Sequence, residues 1–179
     1  MRSALILLLL SCSMLPVKRE MRLGRFHTNY DCRTENPVEC EGNIRSILSI
    51  LQAVAEAIES GDPIAIAHYI HPERGIYIDL KAHWSLEKFR LDAESRTGHL
   101  NTFYIDTERL RQKTGDITQI SIREILSKTG SIDVELFFGE DGEICELRLH
   151  LLDHPELNYY LNNPVFIKID SVWYLYRLF

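Results

Sequence analysis

The chain has 179 residues, 45% of them hydrophobic and 26% charged, which suits one ordinary globular domain with a leader and is too few for two full domains. Its net charge of −6, with no Lys/Arg stripe interleaved with aromatics after residue 40, argues against nucleic acid as a partner, because phosphate binding wants a basic surface. Met1-Arg2-Ser3 and then the apolar run from Ala4 to Leu10 have the layout of a secretory signal. That run is far shorter than the roughly 20 apolar residues needed to span a bilayer.

Leu9-Leu10-Ser11-Cys12 resembles a bacterial lipobox. The resemblance implies removal of residues 1–11 as a signal peptide and a mature chain starting at Cys12. That cysteine would carry palmitate-type acyl chains and so anchor the protein to a membrane, since more than one chain holds stably at about 0.8 kcal/mol per buried methylene. Ser13 after the cysteine implies the outer membrane of the cell envelope. Residues 12–42 lack apolar periodicity and are expected to be a tether, with Lys18, Arg19, Arg22 and Arg25 lying against anionic head groups or simply solvated. Export permits disulfides, and Cys32 and Cys40 are candidates for a bridge.

A single α+β domain is expected over residues 43–179. Ile44, Ile47, Leu48, Leu51, Val54, Ala55 and Ile58 recur at three- and four-residue steps, which predicts a long helix with one apolar side. Asn43 is its expected cap and Gly61 its left-handed end, and Asp62-Pro63 should open a second helix. His71-Pro72-Glu73-Arg74-Gly75 reads as a structural turn, with Gly75 supplying a positive φ. A short strand is expected over residues 76–80, a helix from Ser85 to about Ser95, a strand over Leu100–Ile105 and a helix from Thr107 to Lys113. Between Gly115 and Gly130, Ser121 and Glu124 fit a capping box while Ile117, Ile120 and Ile122 would also serve a strand; both readings stay open.

Ile132, Val134, Leu136 and Phe138 alternate with charged residues, and Asp141-Gly142 predicts a type I′ turn. A register that sets Glu135 opposite Arg148 and Asp133 opposite His150 is preferred over one that sets Glu135 against Glu146, because like charges across a ladder destabilise it. Cys145 then shares the apolar face and reads as a buried thiol. The last strands, Val165–Ile169 and Val172–Phe179, flank Asp170-Ser171, with Val165 expected opposite Tyr176. The final strand is apolar on both sides and should be central and covered twice.

Two helices, a strand, a further helix and antiparallel strands closing on Phe166-Ile167-Lys168-Ile169-Asp170-Ser171-Val172-Trp173-Tyr174-Leu175 resemble the nuclear-transport-factor-2-like family. The resemblance implies a cystatin-like cone, a long N-terminal helix packed on a curved antiparallel sheet. Ser171 stands where Gly is usual. His71-Pro72-x-x-Gly75 is similar to the turn of bacterial lipoproteins that carry an HPxxG motif. The family includes enzymes, small-ligand binders and protein-binding modules, so the fold alone selects none of these.

His68, His71, Asp79 and His83 are zinc-ligand types, but His71 has a turn to hold and the spacing is poor, so no metal is expected. His68 with Asp79, or Asp133 with His150, would suit a general acid/base pair if a cavity brought them together. No GxSxG, P-loop, GxGxxG or CxxC occurs, and no cofactor is expected. Trp84, Phe89, Phe103, Tyr104, Trp173 and Tyr176 are candidates to line an apolar pocket, and Phe137, Tyr159 and Tyr160 to form a protein-binding patch. Three readings follow: a noncatalytic envelope lipoprotein binding a small ligand or a protein, an envelope enzyme using His68, Asp79 and Asp133, and a structural envelope component.

Overall fold

The apolar stripe forms α1 (Pro37–Ser60), in which Ile44, Ile47, Leu48, Leu51, Val54 and Ile58 are all at most 1% exposed. Each such side chain contributes roughly 1.5–3 kcal/mol of burial, set against chain entropy. A computed structural model describes residues 19–32 and 37–179; the expected signal peptide, Cys12 and the beginning of the tether lie outside the described residues. The helix starts six residues earlier than expected, at Pro37, whose fixed φ suits the first turn. Asn43 is therefore inside the helix, and its Oδ1 accepts a 3.0 Å hydrogen bond from Trp173 Nε1. Gly61 ends the helix at φ +77°.

Residues 19–30, expected to be part of a tether, are folded into the sheet, and α1 takes up residues 37–42. Arg19–Leu23 (β1) and Phe26–Tyr30 (β2) form an antiparallel hairpin at one edge of the sheet. Met21, Phe26 and Thr28 point into the core at 7%, 0% and 1% exposure. Arg25 fastens the hairpin to the helices, with Nη2 on both carboxylate oxygens of Glu59 and Nη1 on the Leu126 carbonyl.

After α1, Pro63–Tyr69 is a 3₁₀ helix whose Asp62 makes no side-chain cap. Ile76–Tyr77 (β3) and His83–Trp84 (β4) form a much shorter pair than the strand expected to reach Leu80. Asp79 Oδ1 accepts from the amides of Lys81 and Ala82 at 2.6 and 2.7 Å, so the chain turns there. Leu86–Glu94 (α2) is capped by Ser85. Leu100–Ile105, expected as a strand, is a π-helix, because the Asp92 carboxylate accepts from the amides of His99 and Leu100 and starts a helical turn. Thr107–Thr114 (α3) and Ile122–Lys128 (α4) follow, and Ser121 accepting from the Glu124 amide decides the open stretch for helix.

Ile132–Phe138 (β5), Ile144–Leu151 (β6), Val165–Ile169 (β7) and Val172–Arg177 (β8) complete an open sheet of order β1-β2-β5-β6-β7-β8-β3-β4. The sheet is mixed rather than antiparallel, since β2 runs parallel to β5 and β3 to β8. Glu135 faces Arg148 and Asp133 faces His150. The type I′ turn is not at Asp141-Gly142, where only Gly142 has positive φ; it is Asp170-Ser171, at φ +49° and +66°, that has the two left-handed residues such a turn requires. A bulge near Val165 pairs it with Arg177 instead of Tyr176. Strand β8 is interior, but only its inner side, with Trp173 and Leu175, is buried; Tyr174 and Tyr176 on the other side are half-buried. The core lies between that inner sheet face and the helices, and Cys145 is buried in it, its thiol pushed up to about 12 by desolvation. No helix among the described residues is long and apolar enough to cross a membrane.

Candidate functional site

The stripe of α1 stops at Ile44, and beyond it the sheet and helix part to leave a half-open cleft of about 900 Å³. Four separate stretches build its walls. Asn29, Tyr30 and Asp31 come from the end of β2; Glu39, Cys40, Asn43 and Ile44 from the first turns of α1; Leu136 and Phe138 to Glu143 from β5 and its turn; and Lys168, Asp170 and Ser171 from the last hairpin.

Local chemistry holds each wall in place. A disulfide joins Cys32 to Cys40, with Cα atoms 6.0 Å apart, and so fixes the exit of β2 to the first turn of α1. The Gly142 amide donates to the Gly139 carbonyl, and Asp141 Oδ1 accepts from the Glu143 amide at 3.0 Å, which closes the β5–β6 turn. Phe138 meets Trp173 edge-on at 6.1 Å between centroids, and Trp173 in turn holds Asn43.

Asp31, Glu39, Glu140, Asp141, Glu143 and Asp170 face the cleft with one lysine, Lys168, whose Nζ donates to Glu39 Oε1 at 3.3 Å. The floor is Tyr30, Ile44, Leu136 and Phe138. Glu39 is taken up by Lys168, and among the described residues Glu140, Asp141, Glu143 and Asp170 give the rest of the rim an acidic, solvent-exposed lining.

The sequence-based candidates stand elsewhere. None of Trp84, Phe89, Phe103, Tyr104, Trp173 and Tyr176 lines the cleft. Trp84, Phe103 and Tyr104 gather around His99, which stacks on Phe103 at 4.3 Å. Tyr104 donates to the Ile78 carbonyl at 3.0 Å, and burial raises its phenol far above the ordinary value. Phe89 is fully buried, and Tyr176 meets Tyr77 edge-on at 5.3 Å. Of the patch candidates, Phe137 is paired with Glu146 near the start of β6, under Arg148, and Tyr159 meets Tyr160 edge-on in the segment after β6.

The acid/base candidates are likewise dispersed. Asp79 is an exposed turn-former whose carboxyl is held below its ordinary value by the Lys81 and Ala82 amides. Four strand steps, about 19 Å at the usual spacing, separate β5, carrying Asp133, from β3 beside Asp79. His68 is exposed on the 3₁₀ helix. Asp133 instead pairs with His27 Nδ1 at 2.6 Å, a partner hidden from sequence reasoning by the tether assignment, and His150 Nε2 lies 3.3 Å from Glu135 without a well-aligned hydrogen bond. His71 Nδ1 accepts from the amides of Glu73 and Arg74, His83 Nε2 contacts the Arg74 carbonyl, and Gly75 at φ +63° leaves no room for a Cβ, which would stand 2.2 Å from the Trp84 carbonyl oxygen. Among the described residues no three His, Cys, Asp or Glu side chains are grouped so as to hold a metal ion.

The cleft residues gave little warning. The alternation of Phe26, Thr28 and Tyr30 after Gly24 was the available signal for one wall and the Cys32–Cys40 pair for its junction with α1; the other two walls join them only through tertiary contacts.

Fold and cleft together define an α+β protein with an open, mixed eight-stranded sheet and an acidic concavity at the N-terminal end of its main helix. No protein-family model matches the chain, and a search of the curated proteins finds no match.

Proposed function

We propose that this chain is a bacterial envelope lipoprotein, acylated at Cys12, whose α+β domain is a noncatalytic binding module for a small organic cation with an apolar portion. The observation that carries the reading is the cleft, in which Glu140, Asp141, Glu143 and Asp170 share the lining with Tyr30, Ile44, Leu136 and Phe138. A carboxylate-rich rim attracts an ammonium or guanidinium group, and the floor covers a hydrocarbon chain or ring. The nuclear-transport-factor-2-like cone is part of the proposal, supported by a long helix laid on the inner face of the sheet and by a final aromatic hairpin closing on β8.

Calorimetric titration of the Cys12→Ser chain with spermidine and with benzyltrimethylammonium tests the ligand class. Binding is expected, weakening as salt screens the rim and falling about tenfold, roughly 1.4 kcal/mol, in Glu140→Gln/Glu143→Gln. Equal binding by that double variant, or no binding of either cation, overturns it. Acylation is tested separately by palmitate labelling in cells, where Cys12→Ser is expected to lose both the label and membrane fractionation.

A further inference from the structure

The structure shortens the chain available between the anchor and the fold. Arg19 is already in β1, paired with Tyr30, so seven peptide steps separate it from Cys12, and fully extended they span at most about 25 Å. Tyr30 is a wall of the cleft. The chain therefore enters the domain at the cleft rim, at the N-terminal end of α1.

That end carries exposed basic and apolar side chains beside the cleft carboxylates. Arg19 and Arg45 share the single carboxylate of Glu41, each at 3.3 Å. Arg22 is exposed on the same strand beside the exposed Glu20. Val38, in the first turn of α1, is 81% exposed. Glu41 and Glu20 offset much of this basic charge and the cleft carboxylates lie close by, so charge alone does not seat this end on anionic head groups; the short tether brings it there, and the exposed apolar Val38 favours the interface.

We infer that in the acylated protein the short tether holds this end of the domain against the lipid head groups, so that the acidic cleft opens at the membrane surface. The partner is the bilayer itself, and the end of α1 that carries Val38 is the part the tether keeps nearest to it. The inference rests on acylation at Cys12 but not on the identity of the cleft ligand.

The test uses the acylated chain in vesicles of phosphatidylethanolamine and phosphatidylglycerol containing a head-group-labelled acceptor lipid. A donor dye is placed on Val38→Cys or, at the other end of α1, on Ser60→Cys; the remaining thiol, Cys145, is buried and Cys32 and Cys40 are bonded. The two positions are about 33 Å apart along the helix. Energy transfer is expected to be several-fold more efficient from position 38, and a flexible Gly/Ser insertion between Ser13 and Met14 is expected to erase most of the contrast. Equal transfer from both positions in protein shown by mass to be acylated, or a contrast that the insertion leaves unchanged, overturns this inference alone. Absence of acyl mass on Cys12 overturns it together with the anchoring it rests on.

Discussion

The two ends of α1 are built to different purposes. At the C-terminal end, Gly61 closes the helix, the Asp62 amide donates to the Ala57 carbonyl, Arg25 holds Glu59, and α4 covers the stripe with fully buried Ile125 and Leu126. At the N-terminal end the fully buried stripe gives way at Ile44: Val38 faces water, Glu39 pairs with Lys168, and carboxylates from three turns line a gap. One helix thus serves as core over most of its length and as a cleft wall at its beginning. Like charges gathered around a gap work against compactness, and here the cost falls on a wall braced by a disulfide rather than on the packed end.

The sharpest way to break this comparison is to make holes at both ends. Leu51→Ala, in the fully covered stretch, is expected to cost about 3–4 kcal/mol in denaturant unfolding. Leu136→Ala, half-buried at the cleft, should cost clearly less, since water can fill the space. Similar losses at both sites would mean that the cleft end is core after all. Next in size, Cys32→Ser/Cys40→Ser should lose about 2.5 kcal/mol on chain-entropy grounds and reduce cation binding, because the bridge sets one wall. Smaller again, Trp173→Phe removes the donor to Asn43 at about 1 kcal/mol, with amide shifts expected at the first turns of α1 and none at Gly61.

The packed end was legible in the sequence and the open end was not, for a physical reason. A 24-residue helix repeats its burial period several times over, so Ile44 to Ile58 announce themselves. The β5–β6 register was legible because opposite charges favour one alignment, with Glu135 facing Arg148. The β1–β2 hairpin offers only Met21, Phe26 and Thr28 as buried positions among arginines, and its place in the sheet depends on Phe26 meeting Ile132, more than a hundred residues later. Asp141-Gly142 misled because its dipeptide preference is statistical, whereas Asp170-Ser171 is forced into positive φ by the strands it joins. The tether expectation hid both the His27–Asp133 pair and the Tyr30 wall. Of the cleft's walls only the junction of β2 with α1 left a local sign, the Cys32–Cys40 pair; the β5–β6 turn and the last hairpin reach it from more than ninety residues away.

The smallest expected effect concerns a site well away from the cleft, where the packing is close enough to alter a titration. His99 lies stacked on Phe103 and edge-on to Trp84, and burial among these rings pushes its imidazole below the ordinary 6.5; Asp92 and Asp79 pull the other way, and Lys113 adds to the lowering. A proton therefore binds the unfolded chain more tightly than the folded one. The associated stability is fully present above pH 6.5 and is lost as pH falls through the lowered folded value. His99→Phe keeps a ring on Phe103 and removes the proton site, so the fall in thermal midpoint between pH 7 and pH 5 should be shallower in the variant. Parallel profiles for the two proteins would show that His99 reaches water as freely folded as unfolded, and the aromatic cluster around it would then be a surface ledge rather than an extension of the packed end.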